Sequence, residues 1–128
     1  MSEKQIIDIP GLSGKIDVPL SWVVKADNFL FVSGVPPFDH KTGKLVQGDI
    51  ELQTRTVLDT LKYALETSGS SLEKVVKTTI YITNAAYFQR VNAIYREYFK
   101  KDFPARTFVA MSSWPLEFDI EIEATALA

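Results

Sequence analysis

Stretches of period-two and period-3.6 hydrophobicity succeed one another along the chain, and the switches between them mark its elements. Ile6 to Ile9 reads as a short first strand, closed by Pro10-Gly11. Trp22-Val23-Val24-Lys25-Ala26 and Phe29-Leu30-Phe31-Val32-Ser33-Gly34 flank Asp27-Asn28, a pair that tolerates left-handed backbone, so the two runs predict a β-hairpin. Phe38 to Lys44 is a polar, turn-rich loop, and His40 within it reads as a solvated turn residue. Asp49 is a good N-cap, and Ile50, Val57, Leu58, Leu61, Ala64 and Leu65 then recur at helical spacing until Gly69. Val75 to Thr83 is β-branched with one charge, Lys77, the signature of a central strand. Asn84 is placed to cap a second helix whose stripe is Phe88, Val91, Tyr95 and Tyr98, with Ile94 and Phe99 beside it. Lys100-Lys101-Asp102 ends that helix with cations at its negative pole. Two more strands follow, Ala105 to Met111 and Phe118 to Ala126, joined by a loop containing Trp114-Pro115. The order β-β-β-α-β-α-β-β predicts an α+β chain.

Two amphipathic helices can cover only one face of a sheet of about six strands. If Val76, Thr78, Ile80 and Ile82 point to the helices, Thr79 and Tyr81 point away. If Phe118, Ile120 and Ile122 point inward, Asp119, Glu121 and Glu123 share the uncovered face. With two Trp, five Tyr and eight Phe, the chain carries more aromatic residues than two helices need for packing. Such residues are enriched at interfaces, so the pattern points to an oligomer.

Composition narrows the chemistry. A length of 128 residues fits one domain, and 46% hydrophobic with 23% charged residues is ordinary for a soluble globular chain. The formal net charge of −2 lacks the electrostatic footprint of a nucleic-acid binder. Zero cysteines exclude a thiolate nucleophile or metal site, and a single histidine excludes a two-histidine zinc motif. The N-terminus has no signal-peptide core, and no apolar run is long enough for a membrane span. The expectation is a cytoplasmic, metal-free and cofactor-free protein of one domain, residues 1–128.

The chemistry-bearing segment is Phe103-Pro104-Ala105-Arg106-Thr107-Phe108-Val109, followed by the alternating Phe118-Asp119-Ile120-Glu121-Ile122-Glu123-Ala124. An arginine that forks onto a substrate carboxylate, with a glutamate nearby to manage water or a proton, is a minimal kit for hydrolysing a small anion. The structural alternative is an Arg–Glu cross-strand ion pair that only holds the sheet together. Glu121 lies about 7 Å along the strand from Asp119 and Glu123. Their like charge favours protonation of Glu121 and a nearby Arg106 opposes it, which leaves the sign open. Ser33 and Gly34 are equally consistent with turn chemistry, Asn92 with a helix-surface residue, and Trp22 and Trp114 with packing.

The ordered strings Ser33-Gly34-Val35-Pro36, Thr42-Gly43, Gly48-Asp49-Ile50 with Gln53-Thr54-Arg55, Val76-Lys77-Thr78-Thr79-Ile80-Tyr81, Val91-Asn92-Ala93-Ile94-Tyr95, Phe103-Pro104-Ala105-Arg106 and Ile120-Glu121-Ile122-Glu123-Ala124 resemble the RidA (YjgF, L-PSP) family over residues 19–126. The resemblance implies a chorismate-mutase-like fold, with a mixed six-stranded sheet and two helices on one face. It also implies a homotrimer with sites in the clefts between subunits. The implied activity is hydrolysis of 2-imino or enamine acids, such as 2-aminoacrylate, to 2-keto acids and ammonia. In that reading Arg106 clamps the substrate carboxylate and Glu121 positions the water or proton. Ser33, Asn92, Thr107 and Phe108 fall at positions that line the cleft. Leu20, Val35 and Phe108 depart from better-known members and make the implied pocket more apolar, which admits a larger enamine such as a 2-aminomuconate-type substrate. A carboxylate-binding module without turnover and a protective, chaperone-like protein are the competing readings. The ribonuclease label that the family often carries fits a slightly acidic chain with one histidine poorly.

Overall fold

The computed structural model describes residues 3–128. Its elements are β1 (Gln5–Ile7), β2 (Val23–Ala26), β3 (Phe29–Val35), β4 (Phe38–Asp39), β5 (Lys44–Leu45), α1 (Ile50–Thr67), β6 (Val75–Ile82), α2 (Phe88–Tyr98), β7 (Ala105–Ala110) and β8 (Ile120–Leu127). Six strands form one mixed sheet in the order β1-β2-β3-β8-β6-β7. Every neighbouring pair is antiparallel except β6 with β7. That parallel pair needs a crossover, and α2 supplies it. The loop expected over Phe38 to Lys44 instead contains the small β4–β5 hairpin. His40 stays in its turn but stacks on Tyr63, ring centroids 3.7 Å apart, so it is less solvated than its polar neighbours suggest.

Both helix boundaries of α1 follow from local chemistry. The Asp49 carboxylate accepts from the Leu52 N–H at 2.8 Å. At the other end Gly69 takes a left-handed φ of 84°, and the N–H groups of Gly69 and Ser70 return to the carbonyls of Glu66 and Leu65. Asn84 caps a 3-10 turn, Ala85–Tyr87, that leads into α2 rather than capping α2 itself. Both helices pack on the sheet face formed by Ile80, Ile82, Ile120 and Ile122, all fully buried. Arg55–Glu97 and Arg90–Glu51 ion pairs, with the Tyr98 hydroxyl on Asp59, tie α1 to α2 across the outer surface.

Two expectations about side-chain direction fail, each for a backbone reason. Val75 pairs with Ala126 but Lys77 pairs with Thr125, so Val76 is the extra residue of a β-bulge. Val76 is therefore exposed, and Val75 takes the buried place. Asp119 precedes β8 in a bend and belongs to the α1 side. Its carboxylate accepts from Thr83 Oγ1 and Gln53 Nε2, and its N–H donates to Gln53 Oε1. The carboxylate row on the uncovered face is thus Glu121 and Glu123 alone. A second bulge lies in β3, where Ser33 and Gly34 are inserted between the Val32–Ala124 and Val35–Ile122 pairs.

Candidate active site

Pairing register assigns each candidate residue to a face. Thr78 pairs with Arg106 on β7 and with Ala124 on β8, and Thr78 is fully buried under the helices. Paired residues point the same way, so Arg106 projects to the helix side of the sheet. Tyr81 pairs with Glu121, one position out of phase, so Glu121 projects to the uncovered side. The two residues that sequence reasoning joins in one site lie on opposite faces, separated by strand β6 and roughly 10 Å of sheet width.

Arg106 sits half-buried beside α2. Its Nη1 donates to Oδ1 of Asn92 at 2.8 Å, and Asn92 is itself buried. Three rings surround the guanidinium: Tyr95 at 5.1 Å from Cζ, Phe108 at 5.4 Å and Phe88 at 5.7 Å. Phe88 meets Phe108 edge-on, centroids 4.7 Å apart. Rings and an amide oxygen hold a cation without neutralising it. Tyr95 is anchored by its hydroxyl, 2.9 Å from that of Thr78; burial pushes this phenol upward in pKa against the Thr78 bond and the Arg106 charge. Arg106 forms no ion pair among the described residues, and Glu121 lies on the other face, so the purely structural cross-strand Arg–Glu reading does not hold. Its other N–H donors have no acceptor among the described residues. Arg106 lines a cavity of about 250 Å³ together with Asn92, Tyr95, Arg96, Phe103 and Pro104, with no carboxylate among them.

The second group of residues gathers around Glu121. A Cβ built on Gly34 would overlap Glu121 Oε1 and lie 2.6 Å from its Cδ, so the glycine provides the space in which the carboxylate lies. Burial, with the charge of Glu123 as a second cause, holds the Glu121 carboxyl above the usual glutamate range. Within one chain Arg106, on the other face of the sheet, is too far away to oppose this shift. Glu123 accepts a short hydrogen bond from the Tyr81 hydroxyl, which raises the pKa of that phenol, whereas Glu121 has no hydrogen-bond partner among the described residues. Ser33 flanks Gly34, and its hydroxyl donates to the carbonyl of Ser21 at 2.6 Å, beside the half-exposed Leu20.

The structure therefore divides the sequence-predicted residues. Arg106, Asn92 and Phe108 form one cluster; Glu121 belongs to the other side, with Ser33 beside Gly34 and Leu20 next in sequence to Ser21, the residue Ser33 bonds. Thr107 faces the uncovered side, where its hydroxyl accepts from Lys77 Nζ at 2.6 Å. Val35 is fully enclosed in the core, so its side chain reaches neither cluster. Sequence reasoning overlooked Tyr95 and Arg96 as cavity residues. Their spacing from Asn92, three and four positions along a helix, was the available signal. It also took Gly34 as a turn residue, without its contact to Glu121.

The uncovered face extends beyond Glu121 as an apolar strip of Ile6, Phe29, Phe31 and Leu127, each more than 40% exposed. The rings of Phe29 and Phe31 stand 6.4 Å apart. No helix among the described residues is long and apolar enough to cross a membrane.

A mixed six-stranded sheet, two helices on one face and an open opposite face define an α+β, chorismate-mutase-like protein. The chain belongs to the Endoribonuclease L-PSP family, the Rid or YjgF family, whose model matches residues 15–128. It is 47% identical over 108 residues to the RutC family protein PH0854 of Pyrococcus horikoshii, covering 84% of this chain and 86% of the relative. Identity is 42% over 108 residues to the chloroplastic Reactive Intermediate Deaminase A of Arabidopsis thaliana, covering 84% of this chain and 58% of the relative. The crystal structure of the Rid family protein YyfA from Yersinia pestis superposes with a TM-score of 0.92 at 39% identity, over 98% of this chain and 100% of that one. The crystal structure of E. coli TdcF with bound serine gives 0.88 at 28% identity, over 97% and 98%.

Proposed function

We propose that the chain is a metal-free imine and enamine deaminase that converts 2-imino acids of the 2-aminoacrylate type to 2-keto acids and ammonia. The observation that carries this reading is a half-buried guanidinium held by an amide and three rings, with no carboxylate of its own chain beside it. Such a group is prepared to receive a substrate carboxylate through a two-pronged hydrogen bond. A relative named as a reactive intermediate deaminase and a relative that binds serine, itself a small amino acid carboxylate, support it.

The chemistry needs little more than placement. Water adds to C2 of the imine, its oxygen forming the new C–O bond as the C=N electrons move to nitrogen with a proton. The C–N bond of the resulting carbinolamine then breaks, ammonia leaves, and the keto group remains. Arg106 fixes C2 by its grip on the carboxylate, and holding a reactant near its attack geometry supplies much of the acceleration. Glu121 accepts a proton from the attacking water and returns it to the departing nitrogen. Its raised proton affinity favours returning the proton to nitrogen. Asn92 orients the guanidinium, and Phe108 and Phe88 wall its apolar side. A larger enamine with an apolar or dicarboxylate body is the alternative substrate.

Because Arg106 and Glu121 lie on opposite faces, one chain does not assemble the pair. We place the site between copies, with the Arg106 cluster of one chain against the Glu121 cluster of the next. The apolar strip of the uncovered face serves as the contact of a homotrimer. A carboxylate-binding protein without turnover is the second reading, favoured by the serine-bound relative.

The test generates 2-aminoacrylate in situ with a serine or cysteine lyase, traps free imine with semicarbazide and follows keto-acid formation. Wild type is expected to accelerate the reaction and Arg106→Ala to lose about 100-fold, equivalent to about 2.7 kcal/mol. A folded, oligomeric wild type that binds keto acids yet accelerates nothing would leave the binding reading in place of the enzyme.

A further inference from the structure

The chain has four arginines. Arg55 and Arg90 are each in a two-pronged ion pair, with Glu97 and Glu51, and both are spent in joining the helices. Arg96 and Arg106 pair with no carboxylate among the described residues, and both line the same cavity. Arg96 stands four positions beyond Asn92, the residue that holds Arg106, which places it one helical turn farther along α2, about 6 Å by helix rise. The other lining residues are Asn92, Tyr95, Phe103 and Pro104, none of them acidic. Two unneutralised cations on one cavity repel each other until an anion enters. A cavity of about 250 Å³ suits a small metabolite rather than a drug-sized molecule, since such pockets run from about 300 Å³ upward.

We infer that this cavity selects 2-imino and 2-oxo acids whose side chain carries a second anionic group, with Arg106 on the 2-carboxylate and Arg96 on the distal one. The inference rests on Arg106 as the carboxylate clamp and adds a specificity-determining role for Arg96. Arg96 is exposed, so its pull is salt-dependent and contributes to selectivity more than to total affinity. A helix C-terminal cation that only complements the dipole of α2 would affect stability and leave selectivity untouched.

The test has a binding arm and a turnover arm, both on the intact oligomer. Calorimetry measures 2-oxoglutarate against the uncharged 2-oxopentanoate for wild type, Arg96→Gln and Arg106→Gln. Wild type is expected to bind 2-oxoglutarate about tenfold more tightly, a difference of about 1.4 kcal/mol. Arg96→Gln is expected to bring the ratio within about twofold, Arg96→Lys to restore part of it, and Arg106→Gln to abolish binding of both acids. In the turnover arm the imines of glutamate and norvaline are produced by amino-acid oxidases of matching specificity, and the ratio of their kcat/KM values is compared between the same proteins. A wild-type ratio near one, or a ratio that Arg96→Gln does not change, would overturn the role of Arg96 while leaving the Arg106 clamp in place. Loss of the deaminase reading shows differently: neither imine is accelerated, and the binding arm alone then decides whether Arg96 selects diacids.

Discussion

Glu121 lies over Gly34 so closely that no side chain fits beneath it. A Cβ at residue 34 would overlap Oε1 and stand 2.6 Å from Cδ and 3.0 Å from Cγ of the glutamate. The obstructed atoms are the free end of a flexible side chain, and Gly34 does not occupy the left-handed backbone region. Gly34→Ala is therefore expected to fold, with a loss of stability within about 1 kcal/mol, and to swing the Glu121 carboxylate out of place. Imine hydrolysis should fall at least tenfold while 2-oxo acid binding through Arg106 persists. Calorimetry beside the trapping assay checks the split; equal loss of both would mean that the glycine serves only the backbone.

The charge balance around Arg106 can be reversed by one atom pair. Asn92 Oδ1 accepts from Nη1 at 2.8 Å, so Asn92→Asp would set a carboxylate in ion-pair contact without altering size. Thermal stability is expected to hold or rise, because a half-buried cation gains a partner, while affinity for 2-oxo acids falls 10- to 100-fold. Such an opposition between stability and function marks a site kept unpaired for a ligand. A melting curve and a binding isotherm on one preparation decide it.

Opposite-face placement of Arg106 and Glu121 has a combinatorial consequence. Arg106→Ala and Glu121→Gln chains, each inactive alone, should regain activity when co-assembled. In a closed ring with head-to-tail contacts, about one site in four would draw an intact arginine from one chain and an intact glutamate from its neighbour. Recovery of about a quarter of wild-type activity is expected. No recovery in verified mixed oligomers would mean that the two residues do not share a site across chains.

Much of this architecture is readable from residue order alone, and the failures have local causes. Asp49 and Gly69 announce the ends of α1 because capping is chemistry between near neighbours. Ile80, Ile82, Ile120 and Ile122 announce the covered face by simple alternation. The Val76 bulge does not show, because it depends on the register with β8, a strand some fifty residues away. Asp119 does not show either, because the alternation begins only at Ile120 and Asp119 lies in a bend held by Gln53 of α1. Arg106 and Glu121 are individually visible as residue types. Their placement on opposite faces is not, since it requires knowing that β6 lies between β7 and β8.

The proton affinity of Glu121 predicts how activity varies with pH. Burial raises it first and the Glu123 charge second, so the carboxylate form needed to accept a proton appears only at higher pH than for an ordinary glutamate. With the neighbouring chain's Arg106 paired to the substrate carboxylate, the acidic limb of kcat should sit above the usual carboxylate range. Glu123→Gln should move that limb down without abolishing the displacement, because burial remains. The same shift affects folding with a definite sign. The native state holds this proton more tightly than the unfolded chain, so the stabilisation is complete below the unfolded value of about 4.3 and is lost as pH rises through the native one. Glu121→Gln is expected to raise the melting temperature at pH 7 relative to wild type and to show less advantage at pH 4.

The ring-and-amide setting of Arg106 also bears on how the protein behaves in a test tube. A cation shielded by Tyr95, Phe108 and Phe88 and left unneutralised does not discriminate by origin among small oxyanions. Phosphate, sulfate, acetate and citrate from common buffers would occupy it in competition with any metabolite. Apparent affinities should therefore depend on the choice of buffer as much as on ionic strength, and an amine buffer with chloride as counterion would expose the cavity's full attraction.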